Sequence, residues 1–525
     1  MSIVLGAVVP TWVSKWLTPL WLVGLGALAG ILLLLVVWGF LWLISRPMAR
    51  TAWLRRNVDE VPLGVREGAL MPILTIATVF AVFGIIGGVF AERPLELLAN
   101  LPRIMASGER QLSFTVPPTP RDEEGDIDLT QETKIPVTIR GNEVRQMRVR
   151  STEDITIALT PATEDAQRPD LRVPAISGPD DTPYVWERAE ISYFTFVNKD
   201  VDHLYITNSG ANEAKVTLEF VTTLATPEVM AIPVTALSVF VLTLLYFLQR
   251  SLAPKLSAIA LSTYKSEIAQ PLFGIIVTVG LFALLISVIL PYNTFGEDIK
   301  MLKDLGFSLI MVLALVQSIW AASTSVAEEI EGRTALTVLS KPIKRRSFVI
   351  GKFLGITWTV VLLFVSLGTF FLVLVAYKPL YDAIESSKTE PTWQLCYYEM
   401  AVTVPGLVLS LMQTLVLAAV SVAISTRLPL VANFVICFSI FVLGNLTPML
   451  VLSSEQSGQF EIVQFFANLI ATVLPNLEVF NIQAAIAANA HVPIAYLGYA
   501  LLYCVIYSVI AMLLALVLFE DRDLA

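Results

Sequence analysis

The sequence predicts an α-helical polytopic membrane protein of about nine transmembrane helices, with a six-helix core at its C-terminal end and an inserted extracytoplasmic domain resembling a β-sandwich. Three observations predict it. First, only 15% of the 525 residues are charged and 55% are hydrophobic, where a soluble domain carries about 25% charged residues. Second, the missing charge is concentrated in apolar runs of about 20 residues or more, long enough to cross a hydrocarbon layer roughly 30 Å thick. Third, one internal segment reads differently. Residues 92–227 alternate in short apolar and polar steps and hold 14 Lys+Arg against 23 Asp+Glu, while the rest of the chain holds 21 of each. The net charge of −9 therefore belongs to that segment alone.

The first apolar run is Leu17 to Ile44, and no small-residue cleavage site follows it, so a retained helix is expected. The second is Leu70 to Ala91. Between them, Ser45 to Ala69 carries Arg46, Arg50, Arg55, Arg56 and Arg66 against Asp59, Glu60 and Glu67. Five arginines in a short loop place it in the cytoplasm. The N-terminus and everything from residue 92 are then outside, and residues 1–91 form a two-helix N-terminal region. In 92–227, alternation occurs at Ile135 to Ile139, Met147 to Val149, Ile155 to Leu159, Ile191 to Val197, Leu204 to Ile206 and Val216 to Val221. Polar turns such as Asn198-Lys199-Asp200 and Asn208-Ser209-Gly210 divide these runs, as in a small β domain. The acidic stretch Pro117 to Gln131 reads as a loop.

A third span, within 228–249, leads back inside to Arg250, Lys255 and Lys265. An amphipathic segment, Leu252 to Gln270, follows. Six further apolar runs occupy about 272–291, 305–326, 353–377, 401–424, 428–452 and 494–519. Strict alternation leaves the C-terminus, Glu520 to Ala525, inside. The short apolar stretch Glu461 to Pro475 starts and ends outside, which suits a re-entrant or interfacial helix. Gly26-x-x-x-Gly30 and Gly84-x-x-x-Gly88 suggest close helix packing. With these boundaries no ionisable residue lies deep in the last six spans, where an ion-coupled carrier would keep one. Four uncharged polar residues do lie within them: Gln317, Gln413, Asn433 and Asn445 are the candidates to line a path.

Of the three cysteines, Cys396 falls in an outer loop and is expected to be reachable, with Cys437 and Cys504 shielded in spans. No spacing among them, or with His203 and His491, suggests a disulfide framework or a metal site, and no cofactor is implied. An acidic outer domain is a poor partner for nucleic acid. No G-x-x-x-x-G-K-[ST] phosphate loop occurs, and Gly351-Lys352 lacks both the upstream glycine and the following hydroxyl. The chain is expected to be non-catalytic.

The most informative segment is 328–355. Glu328 to Leu339 can extend a membrane helix into the cytoplasm, with Glu329 and Arg333 four apart in the favourable order. Pro342 ends that helix. Ile343 to Phe353 reads as a basic amphipathic helix lying along the membrane, with Phe348 and Ile350 as interface anchors. The runs Glu329-Ile330-Glu331-x-Arg333-Thr334, Leu339-Ser340-Lys341-Pro342-Ile343, Arg345 and Phe348-x-x-Gly351-Lys352-x-x-Gly355 are similar, in order and spacing, to the cytoplasmic loop of ABC-2 permeases. The resemblance covers about 250–525; the first three spans and the β domain lie outside it.

The resemblance implies an export permease that forms the membrane path and couples to a separate cytoplasmic ABC ATPase subunit. It also implies a dimer, with a second copy or a related permease, in contact with lipid of a plasma or bacterial inner membrane. Coupling would fall to Glu328, Glu329, Glu331, Arg333, Thr334, Ser340, Lys341, Pro342, Arg345, Phe348, Gly351 and Lys352. Two other readings compete: an ion-coupled secondary transporter, and a non-transporting scaffold or sensor that uses its outer β domain.

Overall fold

Backbone without water to bond closes its hydrogen bonds in helices, and the apolar runs of this chain do so. A computed structural model describes residues 10–45, 58–105, 108–121, 131–161, 170–175, 182–188, 196, 200–224, 226–290, 297–329, 344–457, 465, 469, 474–482, 485–486 and 492–520. The chain forms two compact units. One is Arg93–Met230, and the other joins Met1–Glu92 to Ala231–Ala525.

The larger unit is helical: α1 (Thr11–Ser45), α2 (Leu70–Ile86), α3 (Ala231–Leu252), α4 (Pro254–Ala269), α5 (Pro271–Ile289), α6 (Asp298–Ala322), α7 (Arg345–Glu385), α8 (Trp393–Ser425), α9 (Leu430–Ser457) and α10 (Ile494–Glu520). Among the described residues, eight helices are long and apolar enough to cross a membrane, all of these but α4 and α9. The remaining expected run, 428–452, is α9, which contributes the shorter apolar stretch Leu430–Leu446. Prolines open α4 and α5 at the first turn, where the missing N–H has no helical acceptor to lose.

Glycines let the first three spans approach closely. A Cβ on Gly84 would stand 2.5 Å from the Gly24 carbonyl carbon, and one on Gly26 would stand 2.6 Å from Thr235 Cβ on α3. Such backbone contact replaces the hydrophobic driving force that lipid removes. The main core runs through α4 to α8 and α10 and includes Phe307, Phe348, Phe371 and Phe519, each 0% exposed.

The structure differs from the sequence reading at three places. The basic stretch from Arg345 is no separate helix along the membrane, because α7 runs unbroken from Arg345 to Glu385. Phe348 is accordingly not an interface anchor: it is buried in the core, with its ring stacked on Phe519. Cys396 does not sit in a reachable loop. It lies one turn into α8 and is 0% exposed, because that helix starts at Trp393, well before the apolar run at 401. Of the five arginines in the first loop only Arg66 lies among the described residues, and most of Glu461 to Pro475 lies outside them.

The smaller unit is a two-layer β structure. One sheet has the order β1-β8-β3-β6 and the other β2-β7-β4-β5, with every pairing antiparallel. The strands are β1 (Gly108–Val116), β2 (Thr133–Arg140), β3 (Val144–Ser151), β4 (Ile155–Ala158), β5 (Asp170–Val173), β6 (Tyr184–Glu187), β7 (Asp200–Asn208) and β8 (Ala214–Thr222). Alternate residues point inward, as the pleat requires. Val149, Leu218 and Phe220 of one sheet share a buried core with Ile157, Leu204 and Ile206 of the other. Five of the six alternating runs fall on strands, and the sixth, Ile191 to Val197, is described only at Phe196. The sequence reading misses β1, β5 and β6.

Candidate functional site

The segment 328–355 begins on a widened turn. α6 passes at Ser323–Glu328 into π-helix, a form common at functional sites. The sequence explains it locally. Ser323, Thr324 and Ser325 are consecutive, and their hydroxyls donate back to the carbonyls of Ile319, Trp320 and Ala321 at 2.9, 3.0 and 2.5 Å. Hydroxyls that bond the preceding turn loosen and bend it. Thr324 also donates to Glu267 Oε1 at 3.3 Å, and Trp320 Nε1 to Gln270 Oε1 at 2.6 Å, which ties the turn to the end of α4.

Of the twelve residues assigned to coupling, Glu331, Arg333, Thr334, Ser340, Lys341 and Pro342 lie outside the described residues, and Glu328 is described only in its backbone. The structure brings the others together around the start of α7. Lys352 Nζ meets Glu329 Oε1 at 2.5 Å, joining the two ends of the segment, with the side chains 8% and 33% exposed. Arg345 donates from Nη1 to the Glu520 carbonyl at 3.2 Å and stands 5.9 Å from the Phe519 ring. The start of α7 is thereby fixed to the end of α10. Gly351 and Gly355 serve packing. A Cβ on Gly351 would lie 2.8 Å from Ile259 Cβ, and one on Gly355 would lie 2.6 Å from Thr263 Cβ, both on α4.

The four polar residues of the spans are all held within the bundle. Asn433 is 0% exposed, and its Nδ2, with two hydrogens to give, lies 2.8–2.9 Å from the hydroxyl oxygens of Ser323, Ser421 and Ser425, while its Oδ1 accepts from Cys437 Sγ at 3.2 Å. It thus joins α6, α8 and α9 at the π-helical turn. Gln413 donates to Asn445 Oδ1 at 3.1 Å, and Asn445 donates to the Phe441 carbonyl at 2.7 Å. Gln317 is 0% exposed, and neither of its amide atoms has a hydrogen-bond partner among the described residues.

The far ends of α6 and α8 hold what the sequence reading excluded from the spans. Lys303 and Glu399 form an ion pair at 2.5 Å, with side chains 0% and 6% exposed. Close by in sequence, Lys378 of α7 is buried against Asp382 at 2.9 Å and the Val288 carbonyl at 3.2 Å. These residues stood just outside the apolar runs; the helices extend past the runs and bury them. Among the described residues no cluster of three or more His, Cys, Asp or Glu could hold a metal ion.

A family model described as ABC-2 family transporter protein matches residues 257–524, more than half of the chain. No curated protein matches.

Proposed function

Because the chain belongs to the ABC-2 family of transporter proteins, and is thus a multi-pass membrane component of a transport system, we propose that it is the permease subunit of an ATP-driven exporter whose ATPase is a separate cytoplasmic chain. The supporting observation is the family match across α4 to α10, which contains the whole segment 328–355 and no phosphate loop. In this reading Glu328 to Gly355 docks in the ATPase, and two permeases, identical or related, enclose the path. The N-terminus and β domain face outward and the C-terminus inward, in a plasma or bacterial inner membrane. Force on the segment reaches the core by three routes: the Glu329–Lys352 pair into α7, Arg345 into α10, and the Ser323–Asn433 bond into α8 and α9. The Lys303–Glu399 pair would satisfy an ion-coupled carrier only if it stood mid-membrane. It stands two helical turns or fewer from the starts of α6 and α8.

The test is Glu331→Ala with Arg333→Ala. Both residues stand outside the apolar runs of the sequence, so insertion is expected to be unchanged. A close, desolvated charged contact is worth about 1.5 kcal/mol or more, roughly tenfold in affinity. Pull-down of the ATPase at matched expression is expected to fall together with permease-dependent ATP hydrolysis. Equal recovery with unchanged hydrolysis would remove this segment as the coupling element.

A further inference from the structure

The three spans that precede the family match meet the core around a cavity of about 330 Å³. α1, α2 and α3 supply most of its wall, and α7 and α8 supply the rest. Ligand sites begin at about this size, roughly 300 Å³, and an apolar cavity of about 150 Å³ already takes a benzene ring. All five helices are long and apolar enough to cross a membrane. The wall runs from Val234 to Thr243 on α3 and from Val365 to Val373 on α7, about 14 and 12 Å of helix rise. The cavity is therefore elongated along the helices, and its length is close to half of a hydrocarbon layer roughly 30 Å thick.

Among the described residues no charged side chain lines it. Three of its four hydroxyls donate within their own helices: Ser238 to the Val234 carbonyl at 2.8 Å, Thr243 to that of Val239 at 2.8 Å and Thr369 to that of Val365 at 2.6 Å. A buried water needs about two to four polar partners, and so apolar a wall does not offer them. The deep wall is shielded, with Leu20, Ile73 and Met400 at 6%, 7% and 4% exposure. Val234 and Val404 also line the cavity and are 58% and 42% exposed, so it opens through the side of the helical unit, where spans meet lipid. An empty cavity forfeits dispersion contacts along its walls, and the material standing at this mouth is hydrocarbon.

We propose that the cavity holds one acyl chain of a membrane phospholipid, set between the three N-terminal spans and the transporter core, with the headgroup outside it. Lipid surrounds the mouth, so mass action fills the site at modest affinity. A free fatty acid has the same kind of chain, but its carboxylate would find no cation in the wall. The bound chain lets α1 to α3 bear on α7 and α8 across a gap that side chains leave open. Because most of the wall precedes residue 257, the site belongs to the additional spans of this chain and not to the family core alone. It does not depend on the permease reading.

The experiment uses the full chain in phosphatidylcholine nanodiscs doped with a phosphatidylcholine that carries a diazirine on one acyl chain. After irradiation, mass spectrometry of peptides locates the adducts. The wild type is expected to carry them at the shielded wall residues Leu20, Ile73 or Met400, as well as at Leu513 and Val517 of α10, which are exposed. Ala77→Phe places a ring in the cavity from α2. The interior adducts are then expected to fall on the order of tenfold, as excluding about two methylenes requires, while those on α10 stay unchanged. Ala77→Leu carries the same expectation should the phenylalanine variant not fold. Interior adducts missing from the wild type, or equally strong in the filled variant, would overturn the proposal. So would their loss beyond simple dilution on adding palmitate, which would assign the site to a free fatty acid. No ATPase is present, so failure here leaves the permease reading untouched.

Discussion

Replacing Lys303 by Met takes from the buried Glu399 carboxylate the ammonium it pairs with. With side chains 0% and 6% exposed, solvent screens this pair very little. Two unit charges 2.5 Å apart attract by roughly 6–7 kcal/mol at an effective dielectric constant of about 20. Desolvation offsets most of that, so the pair itself adds little net stability, but losing one partner costs about 3–5 kcal/mol. Lys303→Met and Glu399→Leu are each expected to destabilise by about that amount, while the double variant returns to within about 1 kcal/mol of wild type or exceeds it. The assay is reversible unfolding of the purified protein in mixed micelles, read as a double-mutant cycle. Additive losses, with the double variant as damaged as the sum of the singles, would show that the two side chains do not share a buried site and would refute the reasoning.

An impermeant maleimide is expected to label none of Cys396, Cys437 and Cys504 in the folded protein and all three after denaturation, since each is buried; mass spectrometry of the labelled protein reads the result. Gly355→Val would drive a side chain into Thr263 and the Ala260 carbonyl, 2.6 and 2.7 Å away even for a Cβ, and is expected to cost about 1–3 kcal/mol in the same unfolding assay, with membrane insertion intact. Residues 93–230, expressed alone, are expected to be soluble and to give a sheet-type circular dichroism spectrum, because their core closes within the unit; a mainly helical spectrum would contradict the fold.

The membrane helices were legible because hydropathy over twenty residues is a property of the residues themselves. Most strands were legible for a similar reason, since period-two alternation needs no knowledge of the partner. β1 was not: it opens Gly108-Glu109-Arg110-Gln111, and its inward residues Leu112, Phe114 and Val116 come late. The glycines at 351 and 355 were visible as a motif, but their partner helix, α4, was not. The buried ions were hidden for the same reason. Lys303 and Glu399 lie 96 residues apart, and each alone reads as a charge flanking a span. Helix ends moved where packing rather than hydropathy set them, and this carried Cys396 from loop to interior. Gln317 was picked out as a polar residue in a span, yet only its surroundings show that its amide is unmet.

The length of α7 has a mechanical consequence. Ahead of Pro379, which interrupts the backbone ladder, the helix runs from Arg345 without a break. At 1.5 Å per residue that is a rod of roughly 50 Å, well over the thickness of a hydrocarbon layer. A rod pivoting about one end converts angle into travel: each 5° of tilt moves the other end on the order of 4 Å over that length. With its first turns held by Arg345 and Lys352 and its far portion held by Lys378 to the Val288 carbonyl, α7 can carry a displacement along its length without bending.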